Sequence, residues 1–189
     1  MDLTPIEAQQ ALDAIQSVAL KTRKVIANSG AYLFLIIWGF VWLIGFTANY
    51  FVTGPSIGYI WMALDIVGGV LSLVAGIRLG RKFRSASGGK AGRRIGYFWL
   101  LLFVYCLLLL AVVSPLDMKT GSMVIVIFVM VGWIAMGLLM SAASIWWALV
   151  ITALALIGYY LLPSYFYLWM AVLGGGGMIA LGFYIRNRW

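Results

Sequence analysis

The chain has 189 residues, of which 65% are hydrophobic and 10% charged, and its formal net charge is +8. Soluble domains are about 45–50% apolar and about 25% charged, so this composition predicts an integral membrane protein and leaves little chain for a soluble domain. There is no histidine, and Cys106 is the only cysteine. The chain therefore lacks the commonest metal ligand and the commonest general base. We expect no enzyme, no cofactor and no metal site.

The first segment, residues 1–30, has the pattern of a cytoplasmic or interfacial amphipathic helix. Apolar residues recur at helical spacing from Ala8 to Val25, and Thr4 and Pro5 supply a helix start. Such a helix either lies on the inner membrane surface or packs on the base of the bundle, or it docks a partner. Both interpretations stay open at this point.

Six apolar runs follow, each long enough or nearly long enough to cross a hydrocarbon core of about 30 Å. The fourth and fifth form one apolar stretch of about two span lengths, with a natural hairpin at 141–144. The sequence therefore predicts an all-α bundle of six transmembrane helices. The predicted spans are about 31–51, 57–79, 95–113, 122–140, 144–162 and 165–185.

The basic residues predict the orientation of this bundle. With six spans, every Lys and Arg except Lys119 falls on one side, which the positive-inside rule assigns to the cytoplasm. We therefore expect a multi-pass protein of the inner membrane with both termini cytoplasmic.

A basic inner loop is predicted at about 79–94. It either determines topology only, or it contacts anionic lipids or a cytosolic partner. Nucleic acid is not expected there, because the segment is short and lies against a negative membrane surface. The basic residues of this segment and its edge are Arg78, Arg81, Lys82, Arg84, Lys90, Arg93 and Arg94.

Asp65 is the only charged residue deep inside an apolar run, roughly 12 Å from the outer end of span two. A carboxylate in hydrocarbon costs roughly 2.5–3.5 kcal/mol on the insertion scale, so we expect Asp65 to face protein or water. It is either a proton, cation or ligand site or a structural hydrogen bond between helices. Its candidate hydrogen-bond partners are Ser72, Tyr105, Asn49 and Tyr59.

Span one carries Trp38, Trp42, Gly45 and Asn49 on one helical face. This face either lines a ligand pocket or packs against another helix. The candidate ligand or proton site therefore comprises Asp65, Ser72, Asn49, Tyr105, Trp38 and Trp42.

Small residues predict close helix packing at two places. In span two, Gly68, Ser72, Gly76 and Gly80 recur every four residues, which predicts a central helix with these glycines against a neighbour. Gly76→Leu is then expected to break the bundle or its assembly. In span six, the run from Gly174 through Gly175 to position 177 predicts either close packing or a locally unwound helix.

Two stretches, 36–46 and 162–189, resemble small six-span bacterial inner-membrane proteins of unassigned function. In size and span count the chain is also similar to the substrate-binding S-components of energy-coupling-factor vitamin transporters, and to a class of acid-resistance membrane proteins. The bulky run 36–46 departs from the alanine-based coupling motif of the S-components.

The sequence therefore favours a non-enzymatic accessory, sensing or scaffold subunit of a membrane complex. The alternative is a small transporter or ligand-binding membrane protein that uses the buried carboxylate. The expected partners are the bilayer, anionic lipids at its inner face, and another membrane or cytosolic subunit or a second copy of the chain.

Overall fold

The structure is a computed structural model that describes residues 30–82, 86–140 and 143–188. The predicted amphipathic helix of segment 1–30 lies outside the described residues, apart from Gly30. The described chain consists of helices and short connections, which confirms an all-α bundle. The helices are α1 (Ala31–Phe51), α2 (Ser56–Lys82), α3 (Ala86–Val113), α4 (Met118–Met140), α5 (Ala143–Leu161) and α6 (166–188).

Five of these helices are long and apolar enough to cross a membrane, while the apolar part of α5, Ile145–Leu161, is shorter. The predicted ends of α1 agree with the structure, and those of α2, α5 and α6 differ by one to three residues. A crossing by α5, and with it the count of six spans, stays a prediction.

The predicted basic loop at 79–94 is wrong in its extent. Helix α2 continues to Lys82 and α3 already begins at Ala86, so helix occupies both sides of 83–85. Arg and Lys are good helix formers, which favours the continuation of α2 beyond its apolar segment. The first turn of α3 contains Ser87, Gly88 and Gly89, which have low helix propensity, so propensity does not explain its early start.

Helix α6 contains an irregular centre. It is α-helical over Phe166–Trp169, π-helical over Met170–Gly176 and α-helical again over Gly177–Arg188. The glycine run therefore remains helical, with a wider turn. The structure therefore does not show the locally unwound helix that was the second alternative for this run.

Helix α1 lies between α2 and α6, and its antiparallel crossing with α6 is one of the closest in the bundle. A Cβ on Gly175 would lie 2.5 Å from the Leu43 amide nitrogen and 2.8 Å from the Gly39 carbonyl oxygen. About two turns further along α6, a Cβ on Gly182 would lie 3.0 Å from the Tyr32 carbonyl oxygen. The two backbones thus touch directly, as small residues allow in membrane bundles.

The core sits where α1, α4, α5 and α6 meet, and α2 and α3 lie at its edge. Phe166, Met130 and Met170 are among its fully buried side chains. In the apolar window of α6, 39% of the residues are buried, against 11% in α2 and 6% in α3. The prediction that span two is central is therefore wrong, because α1 and α6 occupy the centre instead.

Candidate functional site

Asn49, near the end of α1, is the only buried polar or charged side chain among the described residues, with 7% of its surface exposed. The indole N–H of Trp61 on α2 donates a hydrogen bond of 2.8 Å to the Asn49 Oδ1 atom. This bond fixes the orientation of the amide and leaves Nδ2 buried with no hydrogen-bond partner among the described residues. A buried donor without a partner costs about 1–3 kcal/mol, so Asn49 presents an unused donor at this end of the bundle.

A set of packed aromatic rings that includes Trp61 connects four helices. We call this set the junction cluster, and it consists of Trp42, Phe46, Trp61, Tyr159, Phe166 and Tyr167. Phe46 packs edge-to-face on Trp42, Trp61 and Phe166, with ring centroids 5.2–6.4 Å apart. Such pairs contribute about 0.5–1.5 kcal/mol each beyond area burial, so the cluster rigidly joins α1, α2, α5 and α6.

The first turn of α4 closes the junction cluster on one side. The Lys119 ammonium lies 4.4 Å from the centroid of the Tyr159 ring and 5.9 Å from that of Phe166. The hydroxyl groups of Thr120 and Tyr159 are hydrogen-bonded at 2.9 Å. Lys119 is thus held by a cation–π contact, which the sequence analysis did not anticipate.

Asp117 caps the same helix. Its Oδ2 atom accepts a 3.0 Å hydrogen bond from the Thr120 backbone N–H. Hydrogen bonds from the side chain and the backbone of Thr120 hold the pKa of the Asp117 carboxyl below its ordinary value. An Asp three residues before Thr120, at the start of an apolar run, is a helix-start signal that the sequence could have supplied.

The predicted ligand or proton site is only partly assembled. Trp42 is buried against Gly174 and Phe46, so it belongs to the core and does not line a pocket. Trp38 is half-buried beside Gly68. Tyr105 is 64% exposed on α3, so its predicted contact with the buried carboxylate is wrong.

Asp65 lies on α2, one helical turn beyond Trp61, and is half-buried. No described residue donates a hydrogen bond to its carboxylate: the Trp61 N–H is donated to Asn49, the Asn49 Nδ2 donor has no described partner, and Tyr59 is 69% exposed. Ser72, two turns further, has a buried Oγ atom that also lacks a described partner. The structure therefore brings Asp65 near the junction cluster but supplies no described partner for it.

The row of small residues in α2 winds around the helix. A Cβ on Gly68 would lie 2.9 Å from the Val41 Cγ2 atom, so Gly68 packs on α1. A Cβ on Gly76 would meet no described atom within 4 Å, so the predicted packing of Gly76 inside the bundle is wrong. The reason is geometric: residues four apart differ by about 40° around a straight helix, so two steps move the row by about 80°. Gly80 lies outside the residues whose packing the structure describes.

The glycine pair of α6 has the packing that the sequence predicted. Gly174 lies under the Trp42 ring, where a Cβ would come within 3.1 Å of a ring carbon. Gly175 meets the backbone of α1, as described above. Of the predicted lipid or partner contacts, Arg78, Arg93 and Arg94 are exposed. Arg84 and the side chains of Arg81, Lys82 and Lys90 lie outside the described residues.

No family model, curated protein or solved structure matches the chain. The resemblance to six-span inner-membrane proteins and the layout similarity to S-components therefore stay predictions. Within 30–82, 86–140 and 143–188, no three metal-ligating side chains come together. The Asn49 Nδ2 donor, the Asp65 carboxylate and the Ser72 hydroxyl are therefore free to form hydrogen bonds with a partner or ligand, as far as the described residues are concerned.

Proposed function

We propose that the chain is a non-enzymatic subunit of a membrane complex, and that it binds a neighbouring membrane polypeptide through one face of α2. This face, the α2 flank, consists of Gly58, Asp65, Gly69 and Gly76. Successive residues are 100° apart around a helix, which places these four within about 40° of one another. A Cβ on any of its three glycines would meet no described atom within 4 Å.

The proposal rests on one observation: the helix face whose three glycines have no packing neighbour among the described residues also carries a carboxylate. Exposed glycines alone are compatible with lipid, but Asp65 is not, because a carboxylate facing hydrocarbon costs roughly 2.5–3.5 kcal/mol. A partner helix that packs on the glycines would cover Asp65 and supply a hydrogen-bond donor or a cation to it. Small residues beside a polar one are the usual composition of helix interfaces in membranes.

The orientation and location belong to the same proposal. The twelve Lys and Arg residues on one side favour the inner membrane, with both termini in the cytoplasm. In that orientation the junction cluster lies at the outer end of the bundle, and the basic ends of α2 and α3 face the cytoplasm. The α2 flank then runs between the two faces of the membrane.

The test is native mass spectrometry of the protein extracted from its own membrane into lipid nanodiscs. A second polypeptide at fixed stoichiometry is expected, and it should be lost in Gly76→Leu and Asp65→Leu. Ile77→Phe adds bulk at an exposed position about 100° around the helix and should retain it. A lone wild-type chain, or loss of the partner in Ile77→Phe as well, would contradict the proposal.

Folding must be separated from assembly in this test. Because nothing described lies within 4 Å of a Cβ on Gly76, we expect Gly76→Leu to leave the thermal stability of the isolated chain in detergent unchanged. This expectation replaces the prediction that Gly76→Leu breaks the bundle itself.

The second candidate function is a small transporter or ligand-binding protein, and the unused Asn49 Nδ2 donor favours it. A ligand that accepts a hydrogen bond at this end of the bundle would satisfy that donor, beside the aromatic walls of the junction cluster. Its signature is a lone chain carrying a small-molecule adduct that Asn49→Leu and Asp65→Asn remove. An adduct that survives both substitutions would rule out this function.

A further inference from the structure

A groove between α1 and α2 lies towards the basic end of the bundle, on the side of α2 away from the α2 flank. Its volume is about 290 Å³. Leu33 and Ile37 of α1 and Leu71, Val74 and Ala75 of α2 form apolar walls, and Arg78 also lines it. Residues 71 and 78 are seven apart, so the groove extends roughly 10 Å along α2.

The charge around this groove has one sign. The sequence from 66 to 116 contains seven basic residues and no Asp or Glu. Arg78 is exposed, and the nearest carboxylate before it along α2 belongs to Asp65, thirteen residues away, which is roughly 20 Å in a helix. The guanidinium of Arg78 therefore stands beside an apolar groove without a carboxylate on its own helix segment.

We infer that this groove binds one anionic phospholipid, with an acyl chain along the apolar walls and the phosphate at the Arg78 guanidinium. Arginine binds phosphate through paired N–H donors, which gives geometric specificity as well as attraction. An acyl chain suits walls made of Leu, Ile, Val and Ala, whereas free phosphate would leave them unused. A basic pocket between helices at the cytoplasmic side is the usual form of a lipid-headgroup site.

This site is independent of the proposed subunit function. Arg78 and Gly76 are two residues apart and thus about 200° apart around α2, so the lipid and a partner helix would occupy opposite sides. Loss of one kind of binding is expected to leave the other in place.

The test is a titration of the full-length protein with phosphatidylglycerol or phosphatidylcholine in detergent, read by native mass spectrometry. We expect one tightly retained phosphatidylglycerol and no comparable phosphatidylcholine. Arg78→Gln should weaken phosphatidylglycerol at least about tenfold, since a hydrogen bond to a charged group is lost. Arg94→Gln, the matched control in the same basic segment, should weaken it no more than about fivefold through general attraction.

The apolar half of the site is tested by filling it. Ala75→Phe places a ring in the groove and should abolish retention, while Ile77→Phe on an exposed surface should not. Because Ala75→Phe could disturb the contact between α1 and α2, its thermal stability is measured in parallel. Arg78→Gln keeps the test decisive if that variant unfolds.

Five outcomes would overturn the inference. They are equal affinity for both lipids, equal losses in Arg78→Gln and Arg94→Gln, and retention in a stably folded Ala75→Phe. The fourth is displacement of the lipid by inorganic phosphate alone, which would indicate a free-phosphate site. The fifth is the absence of any retained lipid.

Discussion

The direct backbone contact between α1 and α6 makes Gly175→Ala the sharpest test of the fold. A Cβ at this position would lie 2.5 Å from the Leu43 amide nitrogen, whereas ordinary van der Waals contacts begin at 3.4 Å. The difference of 0.9 Å must come from moving two helices apart, because both atoms nearest the new methyl belong to backbone. Overpacking a tight core costs about 1–3 kcal/mol, and we expect the upper end here.

The expected result is a large fall in thermal stability. For a chain of this size, 1 kcal/mol shifts the melting temperature by about 2–4 °C, so about 3 kcal/mol lowers it by about 6–12 °C. The assay is thermal unfolding in detergent, followed by tryptophan fluorescence and by monodispersity on size-exclusion chromatography.

The same glycine run supplies the matched control. A Cβ on Gly177 would meet no described atom within 4 Å, so Gly177→Ala should leave stability unchanged or raise it by up to about 1 kcal/mol. Gly39→Ala should reproduce the effect of Gly175→Ala from the opposite helix. The double variant should be less destabilised than the sum of the two, because one separation of the helices accommodates both methyl groups. Equal melting temperatures for Gly175→Ala and Gly177→Ala would refute the crossing.

Three further predictions concern contacts elsewhere in the bundle. Gly158→Ala places a Cβ 2.5 Å from a ring carbon of Trp169, so it should cost about 1–3 kcal/mol; a melting temperature unchanged in detergent would contradict this. Asn49→Leu leaves the indole N–H of Trp61 without its acceptor, a loss of about 1–3 kcal/mol, and also removes the unpaired Nδ2 donor, which offsets part of that loss. In a Trp61→Phe background, where no indole N–H is left unpaired, the same substitution should be more favourable by about 1–3 kcal/mol than in the wild type. Equal effects in the two backgrounds would refute the hydrogen bond. The lowered pKa of Asp117 means that its cap stabilises above the unfolded-state pKa and loses this effect as pH falls below about 4, through the folded pKa. Asp117→Asn should retain the cap and remove this acid dependence, as measured by melting temperature between pH 3 and pH 7.

The sequence was sufficient to predict the helices and insufficient to predict their neighbours. Apolar runs and their breaks located α1, α2, α5 and α6 closely, because burial in hydrocarbon demands continuous apolar helices. The start of α3 at Ala86 was not predicted, because Ser87, Gly88 and Gly89 are typical of a loop and have low helix propensity. The order of packing is not encoded in hydropathy, because lipid-facing and protein-facing positions are equally apolar.

For the candidate site too, the sequence identified individual residues but not their contacts. Asn49 and Trp42 were identified because polar and aromatic residues are conspicuous in an apolar helix. The bond from Trp61 to Asn49 joins residues on different helices, and the sequence gives no register between them. The prediction for Gly76 is wrong because residues four apart do not lie on one straight line. Each step of four residues turns by about 40° around the helix, so Gly76 faces away from α1 although Gly68 packs on it.

The crossing of α1 with α6 also constrains how the protein can be made. These two helices are the first and the last in the described chain, with 51 and 166 as their facing ends, so about 115 residues separate them. At about 5–20 residues per second, ribosomal synthesis of that interval takes roughly 6–23 s. During this time the Gly39 surface of a nascent α1 is already in the membrane while its partner has not yet been translated. The bundle is therefore completed only after synthesis of α6, and the insertion machinery or surrounding lipid must cover α1 until then.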